Sequence, residues 1–334
     1  MKMPHSNLDI RHARGVTLVE LMVGPAIGLL TVLVIAQTLF FSESQKRTTT
    51  SGADAQMNGA LALYTLQRDI QMAGYGFASS PELLGCPISA KYGGANIATG
   101  AATPTFPTAL VPLIIDATDP VRNTIRVLSS SKVTYSVPTR VIPPSYDPAA
   151  ASKRYIFPVS SELGIAAGDL LLAAKDGSTK CEVFQASAAP TVAQQIDRAD
   201  DGGRWNPAGF PEETYTDGNA IVNLGSLNDL TYSISANGSL QQTRFQLATD
   251  GTFAPSYTGA RDLYPNIVAM QAFYGKDTNG DGVIDSYDRP RRPPTPGGSR
   301  SWRSASRWWR AALSTRRTRS RRRIRNGWSA TSLR

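Results

Sequence analysis

The chain has 334 residues, with 35 Lys or Arg against 26 Asp or Glu, and a net charge of +9 that by itself would suggest an anionic partner. Residues 289–334 hold 15 Arg with no Lys and no acid, which leaves 20 basic against 26 acidic residues, a net charge of −6, in residues 1–288. Because 41% of residues are hydrophobic and 18% are charged, the composition is that of a folded protein and disfavours collagen-like, coiled-coil and fully disordered classes.

The N-terminus combines a basic stretch with an apolar one. Residues 1–15 contain Lys2, Arg11 and Arg14 against a single acid. From Leu21 to Phe41 there are 21 uncharged residues, enough for a helix to cross a hydrocarbon core of about 30 Å. Since the basic side chains come first, the positive-inside tendency predicts a cytoplasmic N-terminus with the rest of the chain outside. A single-pass anchor that is never cleaved is the alternative interpretation.

One acidic residue interrupts the apolar stretch. A carboxylate in a membrane helix costs about 2.5 to 3.5 kcal/mol at mid-bilayer and usually has a partner, so Glu20 needs an explanation. The string RGVTLVELMV, residues 14–23, resembles the type III signal of type IV prepilins and pseudopilins. The resemblance implies that a prepilin peptidase cleaves after Gly15 and that Val16 becomes the methylated N-terminus. It also implies that Glu20 pairs with the N-terminal amine of a neighbouring subunit.

Two residues depart from the family pattern. Val16 stands where Phe is usual, and Pro25 removes a helix hydrogen bond, for which we expect a bend and no break. Cleavage would also remove His5 and His12, the only histidines in the chain. Without an imidazole, His-dependent nucleophiles and His-ligated zinc or iron sites are excluded. We therefore predict a protein that is not an enzyme and has no small-molecule substrate.

Helical spacing returns over residues 57–73. Leu63, Leu66, Ile70 and Ala73 form an apolar stripe, while residues 67–69 and 71 lie largely off it. This pattern predicts a helix that continues from the membrane, is loosened around Ser51 and packs on a globular head. The glycines at positions 74 and 76 are expected to end it.

From residue 77 to 274 the pattern changes to short β-rich runs separated by Gly, Pro, Asn and Asp. Asn237-Gly238 predicts a hairpin between two of them. The fold class predicted is α+β, with a long N-terminal helix packed on an antiparallel, β-rich head. The predicted strands are residues 110–115, 124–128, 132–137, 155–159, 169–173, 182–186, 229–234, 239–245 and 267–274.

Four further stretches follow along the chain: the predicted helix end at residues 58–75, Gly168-Asp169 with the leucines that follow, residues 230–234 and residues 274–282. In this order they resemble sequence landmarks of the PilW-type minor pilins. The implied architecture is a type IV pilin fold. Its implied segments are a cleaved leader (1–15), a transmembrane and assembly helix (16–41), the continuation of that helix (42–76), a periplasmic head (77–288) and a tail (289–334).

The resemblance also implies a function and a location. The protein would be a single-pass inner-membrane protein with a periplasmic head that later reaches the pilus or cell surface. It would take part in type IV pilus assembly, by priming or at the tip, and so in twitching motility and adhesion. The implied partners are other minor pilins, the major pilin, the prepilin peptidase, the inner-membrane assembly platform and a tip adhesin. A type II secretion pseudopilin is the first alternative.

Cys86 and Cys181 are the only cysteines, in a segment predicted to lie outside the cytoplasm, where disulfides persist. We predict a disulfide that closes a loop of about 95 residues and contributes roughly 4 to 5 kcal/mol. Two separate buried thiols are the alternative, because spacing alone does not establish contact.

Residues 277–288 match the EF-hand loop pattern, with a glycine at position six. The match predicts that this loop binds a structural Ca²⁺, and a solvated turn is the alternative. We predict no essential cofactor for the protein. Position twelve is Asp where Glu is usual, and a strand, not a helix, is predicted ahead of the loop. The expected ligands are Asp277, Asn279, Asp281, Val283 (through its carbonyl), Asp285 and Asp288.

Residues 289–334 are rich in Arg, Pro and Ser and hold four of the five Trp, and they show no lasting periodicity. A disordered arm could contact phosphates through Arg and stack bases on Trp, which would suit a DNA-uptake protein. A membrane-surface segment is a second interpretation. We favour a third, a GC-rich gene read in a shifted frame, since the family normally continues with ordered sequence. Nucleic acid is accordingly not a predicted partner.

Overall fold

The computed structural model describes residues 17–99, 105–134, 137–175, 180–200, 204–279, 283–288 and 309–314. The described residues form one long helix and seventeen strands. The bounds are α1 (Leu18–Gln71), β1 (Ile88–Tyr92), β2 (Ala95–Asn96), β3 (Leu113–Asp116), β4 (Thr124–Ser129), β5 (Thr139–Arg140), β6 (Ile156–Pro158), β7 (Leu170–Ala174), β8 (Cys181–Gln185), β9 (Gln195–Asp197), β10 (Ala220–Gly225), β11 (Asn228–Ile234), β12 (Ser239–Leu247), β13 (Pro255–Tyr257), β14 (Arg261–Pro265), β15 (Gln271–Lys276), β16 (Ser286–Asp288) and β17 (Trp309–Ser314).

The chain divides into two compact units between Met57 and Asn58. The first unit is the N-terminal part of α1, whose side chains from Leu18 to Phe41 are almost all exposed. Among the described residues, α1 is the one helix long and apolar enough to cross a membrane. A long helix with an apolar N-terminal part, together with β-sheets, confirms the coarse α+β prediction.

The helix is continuous at Pro25 and at Ser51-Gly52, the two positions where the sequence predicts a bend or a loosening. It runs through Pro25, as predicted, without a break. It also runs through Ser51 and Gly52, so the predicted loosening there is wrong. A glycine in a helix interior costs only about 1 kcal/mol, and the nearby Thr48 and Thr49 hydroxyls donate to carbonyls one turn earlier at 2.9 Å.

The second unit begins with the last four turns of α1, which pack on a sheet. Ala62 and Leu66 are buried, and Ile70 and Ala73 are partly buried against them. Their neighbours in this core come from β3, β4, β11, β12 and β15 and from the chain just ahead of β15. The predicted apolar stripe is therefore confirmed for Leu66, Ile70 and Ala73, whereas Ala62 takes the place expected for Leu63 in this core.

The described strands form four sheets. Their strand orders are β2-β1-β8-β7-β10-β5, β13-β12-β11-β4-β3 with β14 also on β12, β16-β15-β17, and β6-β9. The pairs are antiparallel except β1 with β8, which is parallel with Ile88 opposite Cys181. The prediction of an antiparallel head is thus correct for every ladder between the described strands but this one.

The middle of the first sheet is buried on both faces. Leu170 and Leu172 contribute to one hydrophobic core, whereas Leu171 and Ala173 contribute to another. This is the period-two alternation of a strand with apolar residues on both sides. The neighbouring strand β10 is buried along its whole length, so it lacks the polar alternation by which half-buried strands are identified, and sequence analysis missed it.

Eight of the nine predicted runs overlap a strand, and the Asn237-Gly238 hairpin is confirmed between β11 and β12. The run 132–137 is wrong in its described part, since Lys132 to Thr134 and Val137 form no strand. The main chain turns there, because the Lys132 amide donates to the Ser130 hydroxyl at 3.1 Å. In the tail, β17 is a strand where sequence predicted none, and the rest of 289–334 lies outside the described residues.

Candidate functional site

The N-terminus of α1 gives Glu20 a local role that sequence reasoning missed. Thr17 precedes the helix, and its hydroxyl accepts a hydrogen bond from the Glu20 amide at 3.3 Å. Thr and Glu three residues apart are the pattern of a capping box, with a carboxylate in the first turn where the helix dipole favours negative charge. The T-x-x-E spacing was the available signal. Gly15 and Val16, the predicted processing residues, lie outside the described residues.

The end of α1 is fixed to the head by residues within the first PilW-like landmark. Gly74 has a φ of +78°, and its amide donates to the Leu128 carbonyl at 2.8 Å. The Asp69 carboxylate accepts a hydrogen bond from the Tyr232 hydroxyl, which in turn accepts one from Gln242 at 2.6 Å. Burial, followed by the Asp69 contact, raises the pKa of Tyr232. Asp69 and Gly74 thus hold the end of the helix on the sheet.

Gly168 and Asp169, in the second of these stretches, also have a structural role. Gly168 has a φ of +85°, and a Cβ placed on it would lie 2.5 Å from the Phe253 ring. The buried Asp169 carboxylate accepts a hydrogen bond from the Ala166 amide at 2.8 Å and pairs with Lys132 at 2.9 Å. These two residues set the turn into β7 and anchor a neighbouring loop on it.

The predicted disulfide is confirmed, with Cys86 and Cys181 bonded across a Cα–Cα distance of 5.9 Å. Cys181 is the first residue of β8, and Cys86 lies two residues ahead of Ile88, the first residue of β1. The bond therefore fastens the start of the parallel β1–β8 pair.

A charged cluster lies next to the disulfide in sequence and was not predicted. The Glu182 carboxylate is fully buried and accepts hydrogen bonds from the Glu212 and Glu213 amides at 3.0 and 2.9 Å and from the Tyr215 hydroxyl at 3.0 Å. Lys180 Nζ lies 3.2 Å from the same carboxylate. A buried carboxylate needs such partners, and the cluster holds the chain at 212–215 against β8.

Glu212 extends this cluster to the surface. Its carboxylate oxygens accept hydrogen bonds from Lys180 and Lys91, each at 2.6 Å. These two ammonium groups, Lys180 first, lower the Glu212 pKa to about 2. No motif indicated these contacts, because they join residues that are far apart in sequence.

The Asp-rich loop connects β15 to β16. The Asp285 carboxylate accepts hydrogen bonds from the Thr278 hydroxyl and amide at 2.6 and 2.7 Å, and these bonds lower the pKa of Asp285. Asp288, loop position twelve, lies in β16 opposite Tyr274, whereas an EF-hand places that position at a helix. Asp281 lies outside the described residues, and the described ones contain no group of three His, Cys, Asp or Glu suited to a metal ion. Calcium binding therefore stays a prediction.

Comparison with protein-family models, curated proteins and solved structures found no match to the chain.

Proposed function

We propose that this protein is a PilW-type minor pilin that takes part in type IV pilus assembly and is not an enzyme. The observation that carries the proposal is the prepilin-like string of residues 14–23 placed directly at the start of a 54-residue helix. The apolar first half of that helix is exposed and its last four turns, from Asn58, pack on a β-rich head, an arrangement suited to a membrane subunit that assembles through its helix.

In the proposed mechanism the leader is cleaved after Gly15, and the helix stays in the inner membrane until the pilus assembles. On assembly its apolar surface packs against the helices of other pilins. The capping hydrogen bond uses the backbone amide of Glu20 and not its carboxylate, so capping and charge pairing use different atoms. Pairing with the amine of a neighbouring subunit would supply the partner that a carboxylate in an apolar segment needs.

In the same proposal the head lies in the periplasm and reaches the pilus tip, where it primes assembly with other minor pilins and contacts a tip adhesin. The Cys86–Cys181 disulfide supports a location outside the cytoplasm, where such bonds persist.

The decisive variant is Glu20→Gln, because Gln serves at this position of a capping box but carries no charge. We expect normal cleavage, shown by N-terminal sequencing that starts at methylated Val16, together with a strong loss of surface pili and twitching. Glu20→Ala should lose the same functions.

The matched control is Glu43→Gln on the same helix. Glu43 forms only an exposed pair with Arg47 at 3.9 Å, and such pairs contribute little. This variant should assemble normally. Wild-type pilus numbers in Glu20→Gln, or a mature chain that still starts at Met1, would contradict the proposal.

A type II secretion pseudopilin is the second candidate, favoured by the Asp-rich loop between two strands. Under either function we expect this loop to bind a structural Ca²⁺, and calorimetric titration of the wild type and of Asp281→Asn tests that separately. Deletion of the gene separates the functions: a minor pilin mutant loses twitching, whereas a pseudopilin mutant loses exoprotein secretion.

A further inference from the structure

Strand β15 is the centre of a three-stranded sheet, with β16 on one edge and β17 on the other. The β16 pairing covers only Tyr274 to Lys276. The β17 pairing covers the whole strand, from Gln271 opposite Ser314 to Lys276 opposite Trp309. One edge of β15 is therefore covered along its whole length by a strand supplied by the tail.

The direction of the β15 backbone groups follows from two contacts on its other edge. The Ala272 amide donates to the Asn123 side chain at 2.8 Å, and the Met270 carbonyl accepts from the Asn123 amide at 2.9 Å. Because backbone groups alternate in direction along a strand, those of Gln271, Phe273 and Gly275 point the opposite way, toward β17.

The same alternation applies to β17. Phe273 lies opposite Ala312, so the Ala312 amide points toward β15, while the Ala311 amide points away from it. The six residues of β17 include a single charged one, Arg310, within a tail that is otherwise dense in Arg.

We infer that this edge of β15 is a strand-acceptor site, which binds an extended segment through the backbone groups of Gln271, Phe273 and Gly275 and is occupied by the tail strand Trp309–Ser314. Strand addition relies on main-chain hydrogen bonds, and side-chain pockets contribute only selectivity. Occupation therefore does not require that the tail sequence was selected, and the site binds an external strand once the tail strand is displaced. The inference does not depend on the pilin assignment.

The first test uses the full-length chain in detergent and residue-resolved hydrogen exchange. Pro at position 312 removes an amide that faces β15, whereas Pro at 311 removes one that faces away from β15, where an edge strand tolerates it. In Ala312→Pro, the amides of Gln271, Phe273 and Gly275 should exchange at least about tenfold faster, as expected when a hydrogen bond is lost. In Ala311→Pro they should exchange as in the wild type.

Two internal controls accompany this test. The Ala272 amide should stay protected in both variants because Asn123 holds it, and unchanged protection of β11 shows that the head remains folded. Equal exchange at Gln271, Phe273 and Gly275 in the two variants would overturn the inference.

The second test adds a synthetic peptide of residues 307–316 to the Ala312→Pro chain. A peptide N-methylated at Ala311 should restore protection at Phe273, and one N-methylated at Ala312 should not, although the two carry the same charge. If both peptides restore protection equally, the attraction comes from their Arg side chains and the strand-acceptor site is refuted.

Discussion

Loss of the Cys86–Cys181 bond is expected to lower the free energy of unfolding of the head by about 4 to 5 kcal/mol. The bond joins residues 95 apart in sequence, and closing a loop of that length removes about this much conformational freedom from the unfolded chain. Cys181 is 1% exposed, so Cys86→Ala/Cys181→Ala also loses buried volume. The reduced wild type keeps both sulfur atoms, and its difference from the double variant measures that packing contribution.

The assay is urea unfolding of a head fragment that begins at Asn58, in its oxidised, reduced and Ala-substituted forms. Far-UV circular dichroism is the suitable signal, since four of the five Trp lie in the tail and would dominate fluorescence. Hydrogen exchange should rise first in Ile88–Tyr92, whose parallel pairing with β8 the bond fastens. A loss below about 1 kcal/mol in both the reduced and the substituted forms would refute the loop-entropy reasoning.

Two further predictions concern other parts of the head. Gly168→Ala should lower the melting temperature more than Gly251→Ala: both glycines have a positive φ, which strains Ala by about 1 to 3 kcal/mol, but only at Gly168 does the new Cβ meet the Phe253 ring. Equal losses would show that this contact is unimportant. The lowered pKa of Glu212 stabilises the fold above its ordinary value of 4.5, and this stability is lost as pH falls through about 2. Glu212→Gln should therefore flatten the dependence of melting temperature on pH in that window, by an amount that added salt reduces because the side chain is about half exposed. An unchanged profile would contradict the assignment.

Local patterns predicted those parts of the fold that local physics decides. The spacing around Leu66 predicted the buried face of α1, and Asn237-Gly238 predicted a hairpin. Each of these signals is contained in a short stretch of sequence. The disulfide was predicted from the presence of two cysteines in a segment predicted to lie outside the cytoplasm. The parallel β1–β8 pair and the fully buried β10 were not predictable, since a strand's neighbours come from distant sequence and a strand buried on both faces has no polar alternation.

The residues singled out as candidate sites fall into two groups, those with a structural role and those on which the proposed function depends. Asp69 and Asp169 lie in PilW-like landmarks, and the structure explains both by packing: one joins α1 to β11, the other anchors a loop on β7. These two residues therefore have structural roles and say little about chemistry. The proposed assembly role depends on the few residues around the start of α1. Under the proposed function, cleavage after Gly15 would leave an amine two residues ahead of Leu18 in the sequence, so that the new N-terminus and the positive end of the helix dipole would both attract a neighbour's carboxylate. The charge of Glu20, and not its place in the cap, is then the property that the Glu20→Gln variant removes.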